Sequence, residues 1–100
     1  MRAWCEPAPW IALLIEALLR TRYGGPAADK APLTILDIGC GTGAMSARIA
    51  RWGRVVSADF SPLALQFSRR RGLDHLVGAD AMRLPFAADQ FDVIVAMDML

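Results

Sequence analysis

A glycine-rich segment is the feature of this 100-residue sequence best suited to do chemistry. It reads Leu-Asp-Ile-Gly-Cys-Gly-Thr-Gly over residues 36–43, so that Gly39, Gly41 and Gly43 alternate directly after an apolar run. Glycine permits a sharp backbone turn and the close approach of a ligand. Cofactor loops occur where a strand leads through such glycines into a helix. The segment therefore predicts a cofactor-binding loop.

An acidic residue accompanies the loop, and two more stand at corresponding places further along the chain. Asp37 lies two positions before Gly39, Asp59 ends the next apolar run, and Asp80 follows the run after that. Ligands of open α/β sheets bind beyond the carboxyl ends of the strands. Acids at three such ends therefore predict one shared site, which we expect to face solvent when no ligand is bound.

Two cofactors fit a glycine loop followed by an acid. The glycine spacing is similar to the start of the dinucleotide fingerprint, and Asp59 lies at the distance of an acid that binds ribose hydroxyls. The third glycine comes one residue early, however, and position 44 is alanine. Asp37 would repel a pyrophosphate but attract an ammonium group, which adenosylmethionine carries. An NAD-type oxidoreductase therefore stays as the alternative to an adenosylmethionine-dependent protein.

Residues 37–43 resemble the first motif of the class I adenosylmethionine-dependent methyltransferases. Asp59 and residues 78–81 (Gly-Ala-Asp-Ala) are similar to later motifs of that family, and the likeness spans residues 33–100. It implies an α/β fold with a Rossmann-like, doubly wound parallel sheet in strand order 3-2-1-4. It also implies methyl transfer from S-adenosyl-L-methionine to an unidentified acceptor. Residues 97–100 (Met-Asp-Met-Leu) lack the Asn/Asp-Pro-Pro-aromatic motif of enzymes that methylate nucleobase amines, so a small molecule is expected. A relative that binds the cofactor without catalysis is a further alternative.

The resemblance implies roles for individual residues. Asp37 would face the methionyl ammonium group, Asp59 the ribose hydroxyls and Asp80 the adenine amino group. The implied cofactor-binding set also contains loop residues and neighbours of the acids, namely Gly39, Cys40, Gly41, Gly43, Phe60 and Ala81.

Several residues near these motifs have more than one interpretation. Phe60 packs either on the adenine ring or in the core, with equal weight. Cys40 is expected to be a spacer between two glycines of the loop and not a nucleophile. A cysteine nucleophile requires a histidine or another base beside it, and none accompanies Cys40. Asp98 follows the fourth strand and is a weak catalytic candidate, which would orient the acceptor or act as a base. Its alternative role is to cap the next helix. His75 has no partner at metal-binding spacing, so no metal is expected.

The periodicity of apolar residues places these motifs on alternating strands and helices. An N-terminal helical extension is predicted from apolar positions 11, 14, 15, 18 and 19, and residues 24–26 (Gly-Gly-Pro) end it. Strands are predicted over residues 33–38, 55–58, 75–79 and 91–97, and helices over residues 42–52 and 62–71. Ser61 is the predicted N-cap of the second core helix, and Gly53 the stop of the first.

We expect two parts, a helix and connector over residues 1–32 and a cofactor-binding core over residues 33–100. The core is expected to stop after strand four, before the part that selects the substrate, so that this chain alone would be inactive. The net charge of +1 gives no strong attraction to nucleic acid or membrane. Glu16 interrupts the N-terminal apolar run and argues against a signal peptide. Two unpaired cysteines fit a cytoplasmic protein.

Overall fold

The computed structural model describes residues 9–26, 33–40, 43–73, 75–80, 83, 85 and 87–96. Strands and helices alternate along the core, as the sequence predicts. In chain order they are α1 (Pro9–Tyr23), β1 (Leu33–Ile38), α2 (Ala44–Ile49), β2 (Gly53–Asp59), α3 (Pro62–Arg70), β3 (Leu76–Gly78) and β4 (Val93–Val95). Short 3-10 turns follow α2 at Ala50–Trp52 and precede β4 at Ala88–Gln90.

The four strands form one parallel sheet in the order β3-β2-β1-β4. β1 is central: it pairs with β2 from Leu33 opposite Gly53 to Ile38 opposite Ala58, and with β4 on its other side. The predicted Rossmann-like fold class and its strand order are confirmed. Because all strands are parallel, their carboxyl ends lie along one edge of the sheet.

The three described α-helices lie on the same face of this sheet. The steps from β1 to β2 and from β2 to β3 go in one direction, so right-handed crossovers place α2 and α3 together. Val55 of β2 packs with Met45 of α2. Asp59, four residues later on the same face, pairs with Gly78 of β3, and Gly78 faces Leu65 of α3. One layer of helices therefore covers the strands that lead to the predicted site.

The core lies between this face of the sheet and the helices α1 and α2. It is built from buried apolar residues of all of these elements: Ala12, Leu19, Ile35, Met45, Ile49, Trp52, Val55 and Val95. The indole N–H of Trp52 donates to the Gly24 carbonyl at 2.9 Å and so ties the end of α1 to the turn after α2. The N-terminal helix is thus part of the packed core.

α1 is rotated relative to the apolar face that its sequence predicts. Leu19 is buried, but Leu14 and Leu18 are 49% and 56% exposed, so the prediction was wrong for these two residues. Glu16 faces inward instead, and its carboxylate accepts hydrogen bonds from Nε and Nη2 of Arg48 at 3.1 Å each. Apolar periodicity does not reveal this ion pair, which lies on the inward side of the helix while Leu14 and Leu18 lie on the outward side.

Element boundaries differ from the predictions at two places. Gly53 begins β2 with extended backbone, and a methyl group there would overlap the Leu33 carbonyl of β1. The prediction of Gly53 as a helix stop missed this strand contact. β4 has three residues, and Met97, its predicted end, lies outside the described residues. Ser61 caps α3 as predicted, since its Oγ accepts from the Ala64 N–H at 3.3 Å. The division into residues 1–32 and 33–100 stays a prediction.

Candidate functional site

The predicted site lies at the carboxyl edge of β1, β2 and β3, where the three acids are placed at different depths. Asp59 ends β2 and pairs with Gly78, the last residue of β3. Asp37 pairs with Ser57, two residues earlier on β2. At about 3.3 Å per residue, Asp37 therefore lies roughly 7 Å deeper along the strands than Asp59. The edge brings both acids to one region, Asp37 beneath its surface and Asp59 at its rim.

Asp37 is 3% exposed and is held by two serines that the sequence analysis did not single out. Ser46 of α2 donates from Oγ to Asp37 Oδ2 at 2.6 Å. Ser57 of β2 donates in turn from its Oγ to Ser46 Oγ at 2.8 Å. Both serines are fully buried, and a buried hydroxyl requires a partner. The signal in the sequence was a serine inside each of two apolar segments.

The first turn of the glycine loop is anchored to the neighbouring strand. The backbone N–H groups of Gly39 and Cys40 both donate to the Ala58 carbonyl of β2, at 2.8 and 3.2 Å. Gly39 has a φ of 71°, a left-handed conformation in which glycine carries no steric penalty. These two N–H groups therefore fix the loop, and a ligand carboxylate would need other donors. Gly41, the middle glycine of the motif, lies outside the described residues.

Gly43 serves the packing of α2 against α3. Its φ is 84°, and a methyl group there would come within 2.8 Å of Leu73 Cδ1 and of Ser68 Oγ. The Gly43 N–H donates to the Cys40 carbonyl at 2.9 Å and closes the loop. The third glycine of the motif thus lets α2 begin close to α3.

Cys40 points away from the edge of the sheet and into the protein. Its side chain is buried, and its Sγ lies 3.5 Å from Ser68 Oγ of α3. Burial is the main cause that raises the pKa of the Cys40 thiol to about 11; the negative charges of Asp37 and Asp59 act in the same direction, and the contact with Ser68 acts against them. A thiol protonated at neutral pH is a poor nucleophile, in agreement with the spacer interpretation. Only the backbone of Cys40 can border a ligand.

Asp59 is buried, with 8% of its surface exposed, so the expectation of a solvent-facing acid was wrong at this position. Its Oδ1 accepts from the Ser61 N–H at 2.8 Å and forms the turn that starts α3. An aspartate that bonds the backbone two residues on is a common turn device. Asp59 therefore shapes the rim of the site in addition to any contact with a ligand.

Among the described residues of the predicted set, Phe60 and Asp80 are exposed. Phe60 is 80% exposed, so its alternative role in the core was wrong. Asp80 is exposed, and its carbonyl accepts from the Arg83 N–H at 2.9 Å in a tight turn after β3. Ala81 and Asp98 lie outside the described residues. Phe60 therefore offers an exposed aromatic side chain at the position directly after Asp59.

Metal-binding clusters and membrane-spanning helices are both absent from the part of the chain that the structure describes. No group of three His, Cys, Asp or Glu side chains there is arranged to hold a metal ion. Among the helices described, none has the length and apolar character needed to cross a membrane.

Comparison with known proteins identifies relatives of this chain. The family described as a methyltransferase domain matches residues 35–100. A demethylmenaquinone methyltransferase of Thermus thermophilus is 41% identical over 83 residues, covering 75% of this chain and 38% of that protein. A ubiquinone biosynthesis O-methyltransferase of Xanthomonas oryzae pv. oryzae is 33% identical over 106 residues, covering 99% of this chain and 44% of that protein. The chain thus spans less than half the length of these relatives.

A solved structure supports the same fold. An amino pentose methyltransferase from Micromonospora echinaspora, solved with adenosylmethionine bound, superposes with a TM-score of 0.68 at 23% identity, covering 95% of this chain and 36% of that one. None of the comparisons reported supports the NAD-type oxidoreductase. The family match includes the glycine loop and all three acids of the sheet edge, and it extends over most of the sequence. The chain therefore belongs to the methyltransferase domain family.

Proposed function

We propose that this chain binds S-adenosyl-L-methionine at the carboxyl edge of β1, β2 and β3, and that the protein transfers a methyl group to a small-molecule acceptor. The observation that carries the proposal is the succession of Asp59 and the exposed Phe60 at the carboxyl end of β2, the strand to which the glycine loop is anchored. A flat aromatic face next to a hydrogen-bond acceptor matches an adenine ring joined to a ribose.

The residues present fit adenosylmethionine better than a dinucleotide. The cofactor carries a positive ammonium group, and Asp37 lies beneath the loop as a charge held by Ser46. Buried charge acts strongly because it is poorly screened by water. A pyrophosphate resting on the same loop would be repelled by Asp37.

Each residue of the site would then make one contribution to binding. Asp59 accepts from the ribose hydroxyls, Phe60 stacks on the adenine, and Asp80 accepts from the adenine amino group. Asp37 attracts the ammonium group from beneath the loop. When bound, the cofactor supplies an electrophilic methyl group on a sulfonium, so the protein's task is to hold the acceptor in line and exclude water. Asp98 stays the candidate for orienting that acceptor.

A small molecule is the proposed acceptor class. The relatives named for demethylmenaquinone and for ubiquinone biosynthesis support it. Binding without turnover would instead make the protein the non-catalytic relative considered above. A cytoplasmic location and the absence of nucleic-acid and membrane partners stay predictions from the sequence.

Calorimetry with the purified chain tests the proposal. We expect adenosylmethionine and its demethylated product to bind, and NAD to show no heat of binding at the same concentrations. Binding of NAD alone would overturn the assignment. Radiolabelled adenosylmethionine and a panel of small phenols, quinols and carboxylic acids then test transfer, for which labelled product is the expected result.

A further inference from the structure

Two buried serines form a chain of hydrogen bonds that ends on the carboxylate of Asp37. Ser57 of β2 donates to Ser46 of α2 at 2.8 Å, and Ser46 donates to Asp37 Oδ2 at 2.6 Å. Both serines are fully buried and Asp37 is 3% exposed, so solvent has little access to these bonds. We name Ser57, Ser46 and Asp37 together the serine chain.

The chemistry of the three groups fixes where the hydroxyl hydrogens of the serine chain lie. An ionised carboxylate can only accept, so the single hydroxyl hydrogen of Ser46 must point to Asp37. Ser46 then has only lone pairs left for its other neighbour, and Ser57 must donate to it. The serine chain therefore directs two O–H dipoles towards the carboxylate. Dipoles aligned in this way strengthen one another and favour the charged form of the acid.

The serine chain also connects the carboxylate to the elements on either side of it. In the sheet Asp37 lies between Ser57 of β2 and Val95 of β4, and Val95 is buried and apolar. Ser46 reaches the carboxylate from α2 and fixes the position of Oδ2. Ser57 in turn fixes the hydroxyl of Ser46 from the neighbouring strand. A carboxylate ordered before binding loses little freedom when a ligand arrives.

Neutral hydroxyl groups have a different effect on a buried acid from that of a cationic partner. An arginine or lysine in contact with the acid would cancel its charge, whereas the hydroxyls of Ser46 and Ser57 stabilise the charge and leave it in place. The negative charge of Asp37 does act on its surroundings, since it helps to raise the pKa of the Cys40 thiol. The serine chain thus suits an acid whose charge attracts a cationic group of a ligand.

We propose that Ser46 and Ser57 are positioning residues for ammonium recognition, which hold the charged carboxylate of Asp37 towards the amino-acid end of adenosylmethionine. The inference rests on the function proposed above and adds two residues that act through Asp37. Ser46 acts directly on the carboxylate. Ser57 acts at one remove, through Ser46.

Calorimetry with two ligands that differ only in the ammonium group tests the inference. They are adenosylhomocysteine and its deaminated analogue, in which hydrogen replaces the ammonium group. We expect Ser46→Ala to weaken adenosylhomocysteine binding about ten-fold and Ser57→Ala about three-fold, because Ser57 is one bond further away. Affinity for the deaminated analogue should change less than about two-fold in either variant. In a Ser46→Ala background, Ser57→Ala should no longer change the ratio of the two affinities.

Ser68→Ala is the matched control. Ser68 is also a fully buried serine, but its hydroxyl lies against Cys40 Sγ and outside the serine chain. We expect this variant to lower the melting temperature about as much as Ser57→Ala does and to leave the ratio of affinities unchanged. If Ser46→Ala does not fold, Ser57→Ala decides alone, since it keeps the direct donor to Asp37.

A change of the affinity ratio confined to the Ser46 and Ser57 variants supports the inference. Equal weakening of both ligands would show a purely structural role and overturn it, as would the same change of ratio in Ser68→Ala. If the parent chain binds adenosylhomocysteine and the ratio is the same in all variants, only this inference fails. If the parent chain binds neither ligand, the proposed function fails and the inference fails with it.

Discussion

At the scale of single residues, substitutions of Gly43 and Gly72 distinguish the cost of backbone strain from the cost of steric overlap. Both have positive φ, 84° and 88°, which disfavours a side chain by about 1–2 kcal/mol. A methyl group at Gly43 would also overlap Ser68 and Leu73, whereas one at Gly72 would meet nothing within 4 Å. We expect Gly43→Ala to lower the free energy of unfolding by about 2–4 kcal/mol and Gly72→Ala by about 1 kcal/mol. Urea titrations of both variants measure the difference, and equal losses would contradict the packing role of Gly43.

The Cys40 thiol gives the fold a pH dependence in the alkaline range. Its pKa is about 11 in the folded protein, against 9.0 for an ordinary cysteine. Between these values the unfolded chain loses the proton and the folded chain keeps it, so stability falls as pH rises. We expect the free energy of unfolding to decrease from pH 9 to pH 11 more steeply in the parent chain than in Cys40→Ser, which does not titrate there. Parallel curves for the two proteins would remove Cys40 as the cause.

Asp59 has a structural role and a proposed binding role, and two substitutions can test these roles separately. Asp59→Ala removes the acceptor for the Ser61 N–H and should cost about 1–2 kcal/mol of stability. Asp59→Asn keeps a side-chain acceptor but loses the charge, so it should fold normally and bind adenosylmethionine on the order of ten-fold more weakly. Asp89→Asn, at an exposed acid of the turn before β4, is the control. Unchanged cofactor affinity in Asp59→Asn would exclude Asp59 from the site.

At the scale of elements, neighbouring leucines of α1 test the observed rotation of the helix. Leu19 is 4% exposed and Leu18 is 56% exposed. Leu19→Ala should cost about 2–5 kcal/mol because it leaves a cavity in the core. Leu18→Ala should change stability by less than about 0.5 kcal/mol. Urea titration measures the free energy of unfolding of both variants. Comparable losses of stability would mean that Leu18 is buried as the apolar periodicity predicts, and would contradict the observed orientation of α1.

The elements also show where sequence reasoning succeeds. β1 and the N-cap of α3 were predicted correctly, because Pro32 and Gly39 bound one apolar run and Ser61-Pro62 is a local signal of a helix start. The orientation of α1 was not predicted from periodicity, which counts apolar positions and does not include the contact that the inward-facing Glu16 makes with Arg48, 32 residues away. Local signals fix where an element begins, and long-range pairs fix which side it buries.

The same distinction holds for the candidate site. The glycine loop and the acids were visible as residue types at strand ends. Their depths were not, because the position of Asp37 below Asp59 follows from the register of β1 on β2. The Ser46–Ser57 pair was missed because serine in an apolar segment has no distinctive spacing, and its partner lies on another element.

At the scale of the whole molecule, the described sheet has an apolar edge at β4. Within the described residues β4 pairs only with β1, and its sequence Val93-Ile94-Val95 contains no charge or proline to discourage further pairing. Ile94 is 48% exposed on the face opposite the core. An uncovered edge of this kind is a template for another strand, so we expect the chain to self-associate reversibly as its concentration rises.

Sedimentation velocity at increasing concentration measures this association, and one pair of lysine substitutions locates it. Ile94→Lys places a charge on the β4 edge strand and should weaken association, because pairing would require the lysine to lose water near apolar neighbours. Leu14→Lys makes the same change at a residue of α1 with matched exposure, 49% against 48%, and should leave β4 pairing intact. If Leu14→Lys abolishes association and Ile94→Lys does not, the contact lies on the exposed side of α1, and the edge of the sheet is protected in some other way. A chain that stays monomeric throughout would contradict the prediction for both surfaces.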